Sequence, residues 1–91
     1  MIKKVVTVTR RFEDPVKSAV EFVNIVEPFP CEITFEIQNG IYSGKSVISM
    51  MIHDFENGKE FTFICNGEQE QEAMEHIIQW FDPECKTIEQ K

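Results

Sequence analysis

The sequence has few of the residues from which metal centres and disulfide frameworks are built. Its three cysteines, Cys31, Cys65 and Cys85, lie far apart without metal-type spacing, and its only histidines are His53 and His76. We therefore expect no metal site, no cofactor and reduced thiols in a cytoplasmic protein, with Cys31 and Cys65 as small strand hydrophobes.

Long apolar runs are also missing. No segment approaches the length that spans a bilayer, and the apolar stretch after Lys3-Lys4 is too short for a signal peptide. The sequence has nine lysines and arginines and sixteen acidic residues, which gives a net charge of −7. Because affinity for phosphate backbones comes mostly from positive side chains, this balance argues against nucleic-acid and anionic-membrane partners.

Glycine and proline are scarce, with four of each, whereas 42% of the residues are apolar. This composition fits a compact domain, and 91 residues suffice for one domain over 1–91. Alternating or β-branched segments predict strands at 2–8, 31–38, 41–43 and 60–65. Helical spacing predicts helices at 15–27 and 69–82, and Ser46 is expected to cap a third, short helix.

Local signals support these boundaries. Asp14 can cap the first helix with Pro15 at its first position, and Asn39-Gly40 predicts a tight hairpin. In the first helix we expect the buried face to be Val16, Ala19, Val20 and Val23, with Ile25 and Val26 as further candidates. In the last helix we expect it to be Ala73, Met74, Ile77, Ile78 and Phe81, with Trp80 at the core edge.

The element order βαββαβα predicts an α+β fold with two layers, in which one sheet face is open to water. The chain is organised around residues 44–53, where Ser46 precedes a run that is apolar on almost every side. A helix with apolar residues all round is either buried or has a partner. Both possibilities are open at this point.

The order and the turns resemble the HPr family, the histidine-containing phosphocarriers of the sugar phosphotransferase system. The residues that match the family register best run from Lys45 onward: Lys45-Ser46-Val47-Ile48, Met51, Glu60, Thr62, Gly67 and Ala73. The resemblance implies an open-faced sandwich with a four-stranded antiparallel sheet and three helices on one face. Upstream of Lys45 the match is looser, and the region between Pro15 and Gly40 is a few residues longer than usual.

The departure from the family lies at its phosphocarrier motif, His-Ala-Arg-Pro. With Pro15 placed on the motif proline, the chain reads Phe12-Glu13-Asp14-Pro15, so Phe12 stands at the histidine and Asp14 at the arginine. Phenylalanine has no nucleophilic atom, and two carboxylates would oppose phosphate at a helix N-terminus. We therefore expect no histidyl phosphocarrier activity and no enzymatic activity.

Other readings of this segment remain. Glu13 or Asp14 could form an acyl phosphate, since carboxylates do act as nucleophiles. Against this, Asp14 can simply be a helix cap and Glu13 a solvated loop residue. Arg10 and Arg11 are expected to be a solvated pair, with anion binding as the alternative.

The resemblance implies a second site, at Ser46, which matches the regulatory serine of Gram-positive members. It implies phosphorylation by the family's bifunctional kinase, with Lys45 beside the added charge and Val47, Ile48 and Met51 as the patch that contacts partners. Met50 would then face the core. The expected function is a regulatory or protein-binding module that engages HPr kinase/phosphorylase or a transcriptional regulator. The alternatives are a carrier with a non-histidine acceptor near Pro15, or a binding domain with a partner unrelated to sugar transport.

Overall fold

The structure is a computed structural model, and it describes residues 1–38, 40–53 and 55–84. Within these residues the elements are β1 (Ile2–Thr7), α1 (Pro15–Val26), β2 (Glu32–Ile37), β3 (Gly40–Ser43), α2 (Val47–Ile52), β4 (Glu60–Asn66) and α3 (Glu70–Phe81). The predicted order βαββαβα is confirmed, and each boundary lies within a residue or two of its predicted place. Cys85 lies outside the described residues.

The four strands form one antiparallel sheet in the order β1-β4-β2-β3. The helices pack on one face, and every strand contributes to that side: for example, Val6, Phe35 and Phe63 are completely buried. The opposite face carries Lys3 and Glu36, which form an ion pair of 3.7 Å across the sheet. The expected open-faced sandwich is confirmed.

The core is rich in aromatic rings. Phe22, Phe35, Phe63 and Phe81 are fully buried, and the Phe22 ring centroid lies 5.3 Å from that of Phe81 and 6.0 Å from that of Phe63. All five residues predicted for the inner face of α3 are buried. Cys31 and Cys65 are buried as expected, and burial, followed by the neighbouring Cys31, raises the pKa of the Cys65 thiol to about 12.

The predicted inner face of α1 is partly wrong. The buried residues are Ala19, Phe22, Val23 and Val26, which follow the i, i+3, i+4, i+7 spacing of one helical stripe. Val16 and Val20 lie beside this stripe and are 52% and 41% exposed. The prediction therefore missed Phe22 and wrongly included Val16 and Val20, whereas Ala19, Val23 and the candidate Val26 are buried as expected.

The hairpin between β2 and β3 also differs from the prediction. Gly40 is not a turn residue but the first residue of β3, paired with Ile37. Gln38 takes part of the turn with a φ of 50°, and Asn39 lies outside the described residues. Gly67 turns the chain toward α3, with a φ of 132° that favours glycine.

Gly44 positions α2 against the sheet. Its amide donates to the Ile33 carbonyl at 2.8 Å, and a Cβ at this position would lie 2.7 Å from the Ile33 side chain. Only glycine allows the chain to approach β2 so closely before α2 begins. In the described part of the chain, no helix is long and apolar enough to cross a membrane.

Candidate functional site

Phe12, at the position expected for a carrier histidine, is a half-buried ring at the edge of the core. It stacks on Trp80 of α3, with centroids 4.8 Å apart and planes 25° from parallel, and meets Phe81 edge-on at 6.0 Å. Trp80 is itself half-buried against the core, as predicted. The side chain at this position therefore joins the segment before α1 to the end of α3.

Arg10 completes this cluster, so the prediction that Arg10 and Arg11 form a solvated pair is wrong for Arg10. Its guanidinium lies 4.8 Å from the Phe12 ring centroid and 5.0 Å from that of Trp80. Nη1 also donates to the Trp80 carbonyl at 3.0 Å. Sequence reasoning missed this role because it depends on α3 reaching the segment before α1. Arg11 is exposed as expected.

Asp14 caps α1, as predicted. Its Oδ1 accepts hydrogen bonds from the Val16 amide at 3.1 Å and from the Lys17 amide at 3.2 Å. These are the amides that would otherwise attract an anion at the start of the helix. The carboxylate of this chain therefore occupies the place that a phosphate would need, while Glu13 is exposed.

Ser46 caps α2, also as predicted. Its hydroxyl oxygen accepts from the Ser49 amide at 3.2 Å, and the residue is half-buried. Lys45 does not extend freely beside it, because its Nζ donates to the Phe29 carbonyl in the turn after α1. Phe29 packs against the core edge. Lys45 thus ties the start of α2 to the end of α1.

The outer surface of α2 carries part of the predicted patch. Ile48 is 71% exposed and Met51 is 37% exposed, whereas Val47 is half-buried against the core and Met50 is buried. The structure adds Ile52, which is 67% exposed and was not predicted. The signal for Ile52 was its spacing of four residues from Ile48, which places both on one side of a helix.

His53 is the C-cap residue of α2. Its Nδ1 lies 2.8 Å from the Ser49 carbonyl oxygen, and since a carbonyl only accepts, Nδ1 carries the hydrogen. The ring packs against Tyr42 at 4.3 Å and Phe35 at 5.4 Å. The imidazole is therefore fixed, with Nε2 as its second polar atom.

The structure brings some of the predicted residues together and separates others. Phe12, Pro15, Met51 and His53 line one cleft of about 600 Å³ between α1, α2 and the end of α3. Lys45, Ser46 and Ile48 do not line this cleft. The two sites predicted from the sequence therefore adjoin at Met51 of α2, while Lys45, Ser46 and Ile48 lie outside the cleft. Among the described residues, no cluster of three or more histidine, cysteine or acidic side chains could hold a metal ion.

A protein-family model described as the PTS HPr component phosphorylation site matches residues 2–82. The chain belongs to the HPr family. Members of this family are phosphocarrier proteins and not enzymes. A comparison with curated protein sequences gives no significant match.

Solved structures agree with this fold. Phosphocarrier protein HPr from Bacillus anthracis str. Ames is 22% identical with a TM-score of 0.77, covering 89% of this chain and 96% of that one. HPr-C-His from Thermoanaerobacter tengcongensis is 21% identical with a TM-score of 0.79, covering 100% of both chains. The catabolite repression containing protein Crh from Bacillus subtilis is 25% identical with a TM-score of 0.69, covering 87% of this chain and 86% of that one.

Proposed function

We propose that this chain is an HPr-family regulatory or protein-binding module without histidyl phosphocarrier activity. The observation that carries the proposal is the arrangement before α1. A phenylalanine stands where the family motif has histidine, its ring is stacked on Trp80, and the Asp14 carboxylate takes the two amides that would bind phosphate. Histidyl phosphoryl transfer needs an imidazole nucleophile and free amides that stabilise the transferred charge, and Phe12 and the capped start of α1 supply neither.

The alternative acceptors near Pro15 gain no support from the geometry. Asp14 is held by two amide hydrogen bonds as a cap, which lowers its availability as a nucleophile. Glu13 is exposed, and Arg10, which could have balanced a phosphate there, is engaged with Trp80. A carrier that uses Asp14 would have to break the start of α1.

The binding surface in this proposal is the outside of α2. Ile48 and Met51 are exposed beside Ser46, and flexible methionine side chains suit contact with varied partners. Similarity to Crh, named for catabolite repression, supports a regulatory role. We propose HPr kinase/phosphorylase or a transcriptional regulator as the partner in the cytoplasm, with no nucleic acid or membrane involved.

Phosphorylation of Ser46 is the proposed means of regulation. Its hydroxyl already accepts from an amide of α2, and a phosphoserine at a helix start keeps acceptor oxygens for that amide. Lys45 would have to leave the Phe29 carbonyl to pair with the phosphate. The modification would therefore alter the contact between α2 and the turn after α1.

Intact-mass spectrometry after two parallel incubations tests the proposal. One incubation contains enzyme I and phosphoenolpyruvate, and the other contains HPr kinase and ATP, each with an HPr control. We expect one stable phosphate only in the second incubation. Ser46→Asn should abolish it while keeping a capping oxygen, and Ser49→Ala, on the same helix, should not.

Each other outcome has a definite meaning. An acid-labile phosphate in the first incubation would overturn the loss of carrier activity and direct attention to Glu13 and Asp14. No phosphate in either incubation, while the HPr control is modified in both, would overturn regulation at Ser46. The chain would then be an HPr fold that serves another partner.

A further inference from the structure

The cleft beside Phe12 has features of a small-molecule site that lie outside the proposed function. Its volume of about 600 Å³ is within the range of ligand sites in proteins, roughly 300–1,000 Å³. It lies between the start of α1, the end of α2, residues 55–57 and the end of α3. Four separate parts of the chain therefore form its walls, and they are held by the core behind them.

One wall of the cleft is aromatic. Phe12 and Trp80 are stacked there, and Phe81 meets both of them edge-on. Phe55 lines the cleft as well and packs on Phe81 at 5.1 Å. Because these rings support one another, they present a fixed apolar surface on which a flat ring could stack.

The polar groups of the cleft favour a negative ligand. Arg11 lines it and, among the residues that the structure describes, its guanidinium has no ion-pair partner. Glu56 also lines it, but this carboxylate is paired with Lys59 at 3.6 Å. The chain as a whole has a net charge of −7, so an unpaired guanidinium beside an aromatic wall is a local positive group that can attract an anion.

His53 adds a second polar contact. Its Nδ1 hydrogen is used by the Ser49 carbonyl, so Nε2 is the ring nitrogen left for a ligand. A few polar groups placed on an otherwise apolar surface are what orient ligands in such sites. We infer that this cleft binds a small aromatic anion, whose ring stacks on the Phe12–Trp80 wall and whose charge pairs with Arg11.

Trp80 allows a direct test, because it is the only tryptophan in the chain and therefore gives one indole N–H signal. The probe is phenyl phosphate, titrated into the full chain labelled with ¹⁵N. Benzyl alcohol provides the ring without the charge, and inorganic phosphate provides the charge without the ring. We expect a saturable shift of the Trp80 indole signal with phenyl phosphate, and binding at least about fivefold weaker for both controls.

Three variants locate the ligand. Arg11→Gln should weaken phenyl phosphate about fivefold, as expected for one exposed charge contact. Lys17→Gln removes the same charge from an exposed position of α1 that does not line the cleft, and should change binding less than twofold. Ile48→Ser alters the outer surface of α2 and should have no effect.

The inference is overturned by any of three results. The first is a Trp80 signal that phenyl phosphate leaves unshifted. The second is binding of benzyl alcohol as tight as that of phenyl phosphate, which would show an apolar surface without anion selectivity. A loss of binding in Ile48→Ser equal to that in Arg11→Gln would place the ligand on the outside of α2. None of these results bears on phosphorylation at Ser46, so the two proposals are tested separately.

Discussion

Replacing Phe12 by alanine tests whether this position now supports the fold in place of carrier chemistry. The substitution removes the stack on Trp80, the edge contact with Phe81 and the ring beneath Arg10. Truncating a fully buried phenylalanine costs about 3–5 kcal/mol, and Phe12 is only half-buried. To the free energy of unfolding, an aromatic pair contributes about 0.5–1.5 kcal/mol and an exposed cation–π contact about 0.5–1 kcal/mol.

We therefore expect Phe12→Ala to lower the free energy of unfolding by about 2–3 kcal/mol. For a chain of this size, that corresponds to a fall in the melting temperature of roughly 10–20 °C. The assay is urea unfolding followed by far-UV circular dichroism, because the fluorescence of Trp80 would itself change with its neighbour. Phe12→His, which keeps a planar ring, should lose only about half as much.

A matched control is Val16→Ala, four residues along the chain at an exposed position of α1. It should change the free energy of unfolding by less than about 0.5 kcal/mol. If Phe12→Ala is no more destabilising than this control, the ring is not part of the core edge and the structural argument for its role is wrong. Phe12→His should also accept no phosphate from enzyme I, because Asp14 still occupies the amides of Val16 and Lys17.

Three further predictions concern single contacts. Asp14→Ala should destabilise the chain by about 1 kcal/mol through loss of the cap, and Glu13→Ala, its neighbour, should be nearly neutral in the same urea assay. Lys45→Met should cost about 1 kcal/mol because a charged donor to the Phe29 carbonyl is lost, whereas exposed Lys17→Met should not. The third concerns Cys65, whose pKa is raised to about 12 in the folded protein. Above about pH 9 only the unfolded thiol ionises, so the free energy of unfolding should fall.

The sign of the Cys65 effect follows from proton binding. Below about pH 9 both states hold the proton and the thiol makes no pH-dependent difference, whereas between about pH 9 and 12 the unfolded state loses it first. Stability should therefore fall by up to about 4 kcal/mol across this range, relative to Cys65→Ala measured at the same pH values. Parallel pH curves for the two proteins would contradict the burial of this thiol. Equal effects of Asp14→Ala and Glu13→Ala would contradict the capping role of Asp14. Equal effects of Lys45→Met and Lys17→Met would contradict the hydrogen bond from Lys45 to the Phe29 carbonyl.

Local chemistry in the sequence determined the order of the elements and most of their ends. Asp14-Pro15 and Ser46 are caps whose hydrogen bonds reach only two or three residues along the chain, so their roles follow from the sequence alone. The alternation in 31–38 and 60–65 likewise reports which side of each strand is buried. The family resemblance added the fold and identified Phe12 as the departure from the carrier motif.

Tertiary structure decided everything that depends on elements distant in the chain. Arg10 and Phe12 meet Trp80 about seventy residues away, and Lys45 meets Phe29 across the end of α1. The choice between Val20 and Phe22 for the core was likewise made by how α1 rotates against the sheet, since both patterns are apolar. The cleft is a further example, because no local pattern can reveal that Arg11, His53 and Trp80 border the same space. A sequence specifies contacts within a turn of helix or a hairpin directly, whereas distant contacts exist only once the layers have packed.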